Sequence, residues 1–207
     1  MINGYYIFDD IIPKVEQLKL EKYVKLSNLN WNYRHNITGQ YGGTDLLKLP
    51  ANVLTSIDIM DTNILNIINS IKLNLLNKLN IEFDRDYRCK INWTTPISEN
   101  YDFKNLIHID MVVAHIAIVY YINDTDGDTI FLNNKKGNSA ESHQNNLKSI
   151  NIDDFEIEKK ISPKKGRAVI FNGNIYHYGE YPTITDRFII NFDLVGKSKN
   201  KNKNNLI

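Results

Sequence analysis

Apolar residues recur along this chain with two different periods. In DTNILNIINSIKLNLLNKLN, residues 61–80, the positions Ile64, Leu65, Ile67, Ile68, Ile71, Leu75, Leu76 and Leu79 follow a spacing near 3.6 and predict a helix, with Asp61 or Thr62 as its N-cap. IIPKVEQLKLEKYVKL, residues 11–26, carries a weaker form of the same period and predicts a second helix, with Pro13 acceptable in its first turn. From residue 86 the texture changes to short runs rich in Ile, Val, Tyr, Phe and Thr: YRCKINWT, AHIAIVYYIN, DTIFL, FEIEKKI, RAVIFN, IYHYGE and RFIINFDLVG. Turn-forming stretches separate them, such as NDTDGDT (123–129) and PKKGR (163–167). No long helical pattern lies between these strands. A sandwich or jelly roll is therefore expected rather than parallel βαβ units, with the helices packed on the outside of a sheet.

The last of these strands has two chemistries. Phe188, Ile190, Phe192 and Leu194 share one face, while Arg187, Ile189, Asn191 and Asp193 share the other. If the apolar face meets the helices, the polar face turns inward, and inward polar residues imply a wet or ligand-filled cavity.

Composition narrows the functions without choosing one. A chain of 207 residues fits one large domain, and Lys+Arg 25 against Asp+Glu 24 gives a net charge of +1, which supplies no global attraction to nucleic acid or anionic membrane. The single cysteine, Cys89, excludes an internal disulfide and a cysteine-built metal site, and suits a reducing, cytoplasmic location. The first residues lack the pattern of a signal peptide, and no apolar run reaches the ~18 residues of a membrane span. NNKKGNSAESHQNNLKS, 133–149, is a long polar loop of the kind used as a lid or left disordered, and KSKNKNKNNLI, 197–207, is a basic polar tail best read as solvated.

The candidate chemistry sits where HIDMVVAHIAIVYYIN begins, at residues 108–123. Alternate residues of a strand point the same way, so His108 and Asp110 would stand side by side. Burying an imidazole and a carboxylate together is costly unless something pairs with them, and a divalent cation would do so. Of the five histidines, His35 and His143 fall in polar surroundings, and His115 has the opposite parity on a straight strand and reads as a pocket-wall or core residue. His177 remains as the third ligand, with Arg187 ten positions beyond it.

The ordered set His108-x-Asp110, His177 and Arg187 resembles the iron(II)- and 2-oxoglutarate-dependent oxygenases, in their prolyl 4-hydroxylase-like branch. YYIN at 120–123, GDTIF at 127–131 in place of the family's GGET-F, and SPKKGRAVIFNG at 162–173 add to the likeness, which spans about 86–195. The resemblance implies an α+β chain whose core, about 86–196, is a double-stranded β-helix (a cupin-like jelly roll), supported by helices within about 1–85. It implies Fe(II) held by His108, Asp110 and His177. It also implies 2-oxoglutarate bound through Arg187 and Tyr121, with Asn92 as a weaker contact, and O₂ consumed as 2-oxoglutarate becomes succinate and CO₂ and a C–H bond is hydroxylated. Halogenating members carry a small residue at the carboxylate position, so Asp110 implies hydroxylation. The substrate is a protein side chain or a small molecule. Two other functions fit the same residues: a jelly-roll binding module holding another metal without turnover, and a nucleic-acid demethylase, which the near-neutral charge disfavours.

Overall fold

A computed structural model describes residues 4–26, 29–33, 53–56, 61–81, 83, 85–98, 107–111, 113–135 and 152–195. His35 and His143, the two histidines set aside as ligands, most of the 133–149 loop and the 197–207 tail lie outside the described residues. Among the described residues ten strands and two α-helices follow in the order β1 (Tyr5–Phe8), α1 (Lys14–Leu26), β2 (Asn32–Tyr33), β3 (Val53–Ser56), α2 (Thr62–Leu79), β4 (Arg85–Thr94), β5 (His115–Tyr121), β6 (Thr129–Asn134), β7 (Phe155–Ile161), β8 (Ala168–Asn172), β9 (His177–Gly179) and β10 (Arg187–Val195). Seven strands form one sheet in the order β1-β8-β5-β10-β4-β3-β2, and three form another in the order β7-β6-β9. Every strand pairing is antiparallel, as expected for a chain with no βαβ pattern.

The predicted helices cover the outer face of the large sheet. Ile64, Ile67, Ile68, Ile71 and Leu75 of α2, with Leu20 and Val24 of α1, pack on Ile91, Ile118, Ile170 and the apolar row of β10. Each such side chain, once buried, contributes about 1.5–3 kcal/mol. Asp61 caps α2 by accepting from the amides of Asn63 (2.8 Å) and Ile64 (3.3 Å), and Asn80 ends it in the left-handed region at φ 52°. Among the described residues no helix is long and apolar enough to cross a membrane.

The N-terminal part is not purely helical. β1 adds an edge strand, pairing Tyr5–Phe8 with Phe171–Ala168, and β2 and β3 extend the other edge. The small sheet packs on the inner face of the large one through Phe131 and Ile161 against Val119, Tyr121, Val169 and Phe171. A cavity is lined by residues of both sheets, chiefly from β4, β9 and β10.

The β5–β6 turn supports that cavity from one end. Gly127 takes φ +87°, and a Cβ there would lie 2.8 Å from the carbonyl oxygen of Glu180. Asp126 accepts from the amides of Thr183 and Ile184, and Asn123 accepts from the amide of Phe188 while donating to the carbonyl of Asp186. The Asn of YYIN therefore fixes the backbone on both sides of Arg187.

Candidate metal and dicarboxylate site

His108 is not on a regular strand, contrary to the expectation from its alternation with Asp110. β5 begins only at His115, and His108 forms a single antiparallel bridge with His177: its amide donates to the His177 carbonyl (3.0 Å) and its carbonyl accepts from the His177 amide (2.9 Å). That bridge brings the two imidazoles to 4.5 Å between ring centres. Asp110 is placed by its own amide, which donates to the Gly173 carbonyl at 3.3 Å.

Ligand atoms of His108, Asp110 and His177 all lie within 4.8 Å of one another. His177 Nε2 is 3.6 Å from Asp110 Oδ2, and His108 Nε2 is 4.0 Å from Asp110 Oδ1. Donors at about 2.0–2.2 Å from one ion lie roughly 3–4 Å apart, so the spacing suits a divalent metal. His177 Nδ1 faces the Ile175 carbonyl at 2.9 Å, an oxygen that can only accept; the ring proton therefore sits on Nδ1 and Nε2 is left bare for an ion. Phe171 and Phe131 wall the same ring at 4.9 and 6.0 Å between ring centres. Burial pushes the Asp110 carboxyl up, but the His177 and His108 imidazoles and the Arg88 guanidinium pull it down further, and the net direction is below the usual carboxylate range.

The opposite end of the cavity holds Arg187, which is 6% exposed. Its Nη2 donates to Thr129 Oγ1 at 3.0 Å, Tyr121 donates its hydroxyl to the same oxygen at 2.7 Å, and the guanidinium carbon lies 5.7 Å from the Tyr121 ring centre. Arg187 forms no ion pair among the described residues, and its Nε is buried with no hydrogen-bond partner. Burial pushes its pKa down. Gly179 gives it room, since a Cβ there would lie 3.0 Å from Nη1. Asn92 lines the wall between the two ends.

The predicted ligands, Arg187 and Asn92 line one cavity, from β4, β9, β10 and the segment before β5, whereas Tyr121 is not among its lining residues and connects to it through Thr129. Thr129, absent from the expected contacts, links Tyr121 to Arg187; its shared parity with Phe131 in GDTIF is the signal that could have found it. Arg88 and Asp193 were missed as a pair. Arg88 donates through Nε to Asp193 Oδ2 and through Nη2 to Asp110 Oδ1, the latter at 3.4 Å.

His115 corrects the parity argument. Asp110 lies outside the strand that begins at His115, so the count restarts and His115 shares the inward face of β5 with Ala117, Val119 and Tyr121. It is a core histidine beneath the site: Nδ1 meets the Val113 carbonyl at 2.8 Å, and a Cβ on Gly173 would fall 1.8 Å from Nε2. Asp110, His115 and Asp193 also cluster, but the Arg88 guanidinium already supplies that cluster's cation.

No protein-family model and no curated protein matches this sequence. Solved structures do match its fold. A prolyl hydroxylase from Trichoplax adhaerens, in complex with a hypoxia inducible factor peptide fragment, aligns at 13% identity and TM-score 0.61 over 93% of this chain and 83% of that one. A prolyl-4-hydroxylase from Pseudomonas putida aligns at 12% identity and TM-score 0.56 over 94% and 93% of the two chains. HygX from Streptomyces hygroscopicus, with nickel and 2-oxoglutarate bound, aligns at 12% identity and TM-score 0.56 over 94% and 83%. The chain shares its α+β fold with these proteins.

Proposed function

We propose that this protein is an Fe(II)- and 2-oxoglutarate-dependent dioxygenase that hydroxylates its substrate, built on a double-stranded β-helix within a single domain, 1–196. The observation that carries the reading is the pairing of two ends in one cavity. Two imidazoles and a carboxylate meet at one end, and a buried guanidinium with no carboxylate partner among the described residues stands at the other. The donor set fits the group: two histidines and one carboxylate are the ligands that non-haem iron oxygenases use, with coordination positions left open. Iron and O₂, with 2-oxoglutarate, supply the oxidation of a C–H bond, coupled to release of succinate and CO₂.

This chain's residues hold and orient. His108, Asp110 and His177 would hold the metal. Arg187, a planar and permanently charged group, would take the distal carboxylate of 2-oxoglutarate in paired hydrogen bonds, and that carboxylate would supply the partner its Nε lacks. Tyr121 and Thr129 keep the guanidinium in place, and Tyr121 would donate to the same carboxylate once its hydroxyl proton turns away from Thr129 Oγ1. Asn92 lies along the cosubstrate's path. A protein side chain is the favoured substrate class, because a structural neighbour is a prolyl hydroxylase bound to a peptide. A reducing, cytoplasmic setting agrees with one unpaired cysteine, Cys89.

Anaerobic addition of Fe(II) and 2-oxoglutarate to the pure protein should produce a visible charge-transfer band, and admission of O₂ should release succinate. Asp110→Ala should lose both signals. A metal-loaded wild-type protein with neither would refute the assignment.

A further inference from the structure

Asp110 has one oxygen more than a facial ligand set requires, and the structure gives that oxygen a partner. Oδ1 faces Arg88 Nη2 at 3.4 Å, whereas Oδ2 faces His177 Nε2 at 3.6 Å. Arg88 is itself fixed, because its Nε donates to Asp193, whose side chain is 1% exposed. The second oxygen of Asp193 looks toward His115 Nε2 at 4.0 Å, so that carboxylate is held between a ring and a guanidinium.

These contacts follow from register. Arg88 on β4 pairs with Asp193 on β10, and both side chains point inward at the metal end of the cavity. A guanidinium presents its donors in a rigid fork, so one group can span two carboxylates as a lysine cannot.

We propose that Arg88, pinned by Asp193, occupies one oxygen of Asp110 so that this side chain offers a bound ion a single oxygen. The inference rests on the metal reading above. In a six-coordinate ion, two imidazoles and one oxygen leave three positions; a carboxylate bound through both oxygens would take one of those away. Arg88 and Asp193 are positioning residues: neither touches the ion, and both act through Asp110.

The competing account is that Arg88 only neutralises a buried aspartate. Two variants separate the accounts. Arg88→Lys keeps the charge but loses the fork. The double change Arg88→Met with Asp193→Asn removes one positive and one negative charge together, leaving the site's net charge unchanged. Cobalt(II) titration of wild type and variants, followed by visible absorption, reads both affinity and coordination without needing turnover. The expected result is cobalt binding weaker by roughly 10- to 100-fold, the usual range for removing an outer partner of a metal ligand, with an altered d–d spectrum in both variants. Wild-type affinity and spectrum in a folded variant would overturn the proposal and leave the metal site standing. If the double variant fails to fold, Arg88→Lys decides alone. Absence of any cobalt site in wild type would instead sink the metal reading, and this inference with it.

Discussion

The two faces of β10 are built on opposite principles. Outward, Phe188, Ile190, Phe192 and Leu194 are almost fully buried against the helices and stabilise the fold by the area they remove from water. Inward, Arg187, Asn191 and Asp193 each bury a polar atom with no hydrogen-bond partner. A buried donor or acceptor left unsatisfied costs about 1–3 kcal/mol. Packing alone gives no reason for such a row, and under the proposed function a ligand would satisfy Arg187. One face keeps the molecule folded, and the other carries atoms that folding leaves in deficit.

Substitutions on the two faces should therefore fail in different ways. Phe192→Ala empties a site in the apolar layer and should cost about 3–5 kcal/mol in a urea melt, with metal bound per folded molecule unchanged. Loss of metal binding at full stability in that variant would break the distinction. Arg187→Met should do the reverse. Charge-assisted hydrogen bonds contribute about 1.5–3 kcal/mol each, so the apparent KM for 2-oxoglutarate should rise roughly 10- to 100-fold. Its melting temperature should hold or rise, since a desolvated guanidinium without an ion pair is replaced by an apolar chain of similar reach. A steep fall in melting temperature would show that Arg187 holds the fold instead.

The rim of the sheet gives the smallest effect. Asp9, just beyond β1, accepts from Arg167 Nε and Lys164 Nζ, both at 2.7 Å. Its hydrogen bond from Arg167, with help from Lys164 and against some burial, lowers its pKa from 3.8 to about 2. Because the folded value lies below the unfolded one, the contribution is complete above about pH 4 and disappears as the pH falls toward 2. Asp9→Asn should remove that part of the acid sensitivity, by a small amount because the pair is partly exposed. Urea midpoints measured from pH 5 to 2 for both proteins would check it, and identical slopes would contradict it.

Much of this arrangement is legible in the amino-acid sequence, for physical reasons that also mark where legibility ends. β-Branched and aromatic runs delimit the C-terminal strands closely; FEIEKKI coincides with β7 and RAVIFN contains β8. Parity along RFIINFDL correctly separates the helix side of β10 from the cavity side, because a period of two leaves no freedom. β1 escapes notice because YYIF is short and lies at an edge, with Tyr6 and Ile7 each 40% exposed and no alternation to read. His108 and Asp110 are recognisable as a pair of residue types, but the single bridge to His177 that positions them is a tertiary contact with no local pattern. Arg88 is likewise hidden: its inward parity can be read, yet its partners lie 22 and 105 positions away. Local periodicity reports which way a side chain points and is silent about what it meets.

Gly173 shows how little chain can coordinate these parts. Its carbonyl takes the amide of Asp110, its amide serves the carbonyl of His115, and its missing side chain is the space into which that imidazole settles. Two neighbours thus make three contacts with one residue that has nothing to offer but backbone. Mutational drift at this position has no gradual route: the smallest possible addition, one methyl, would collide with the ring and displace the loop bearing the carboxylate in the same motion.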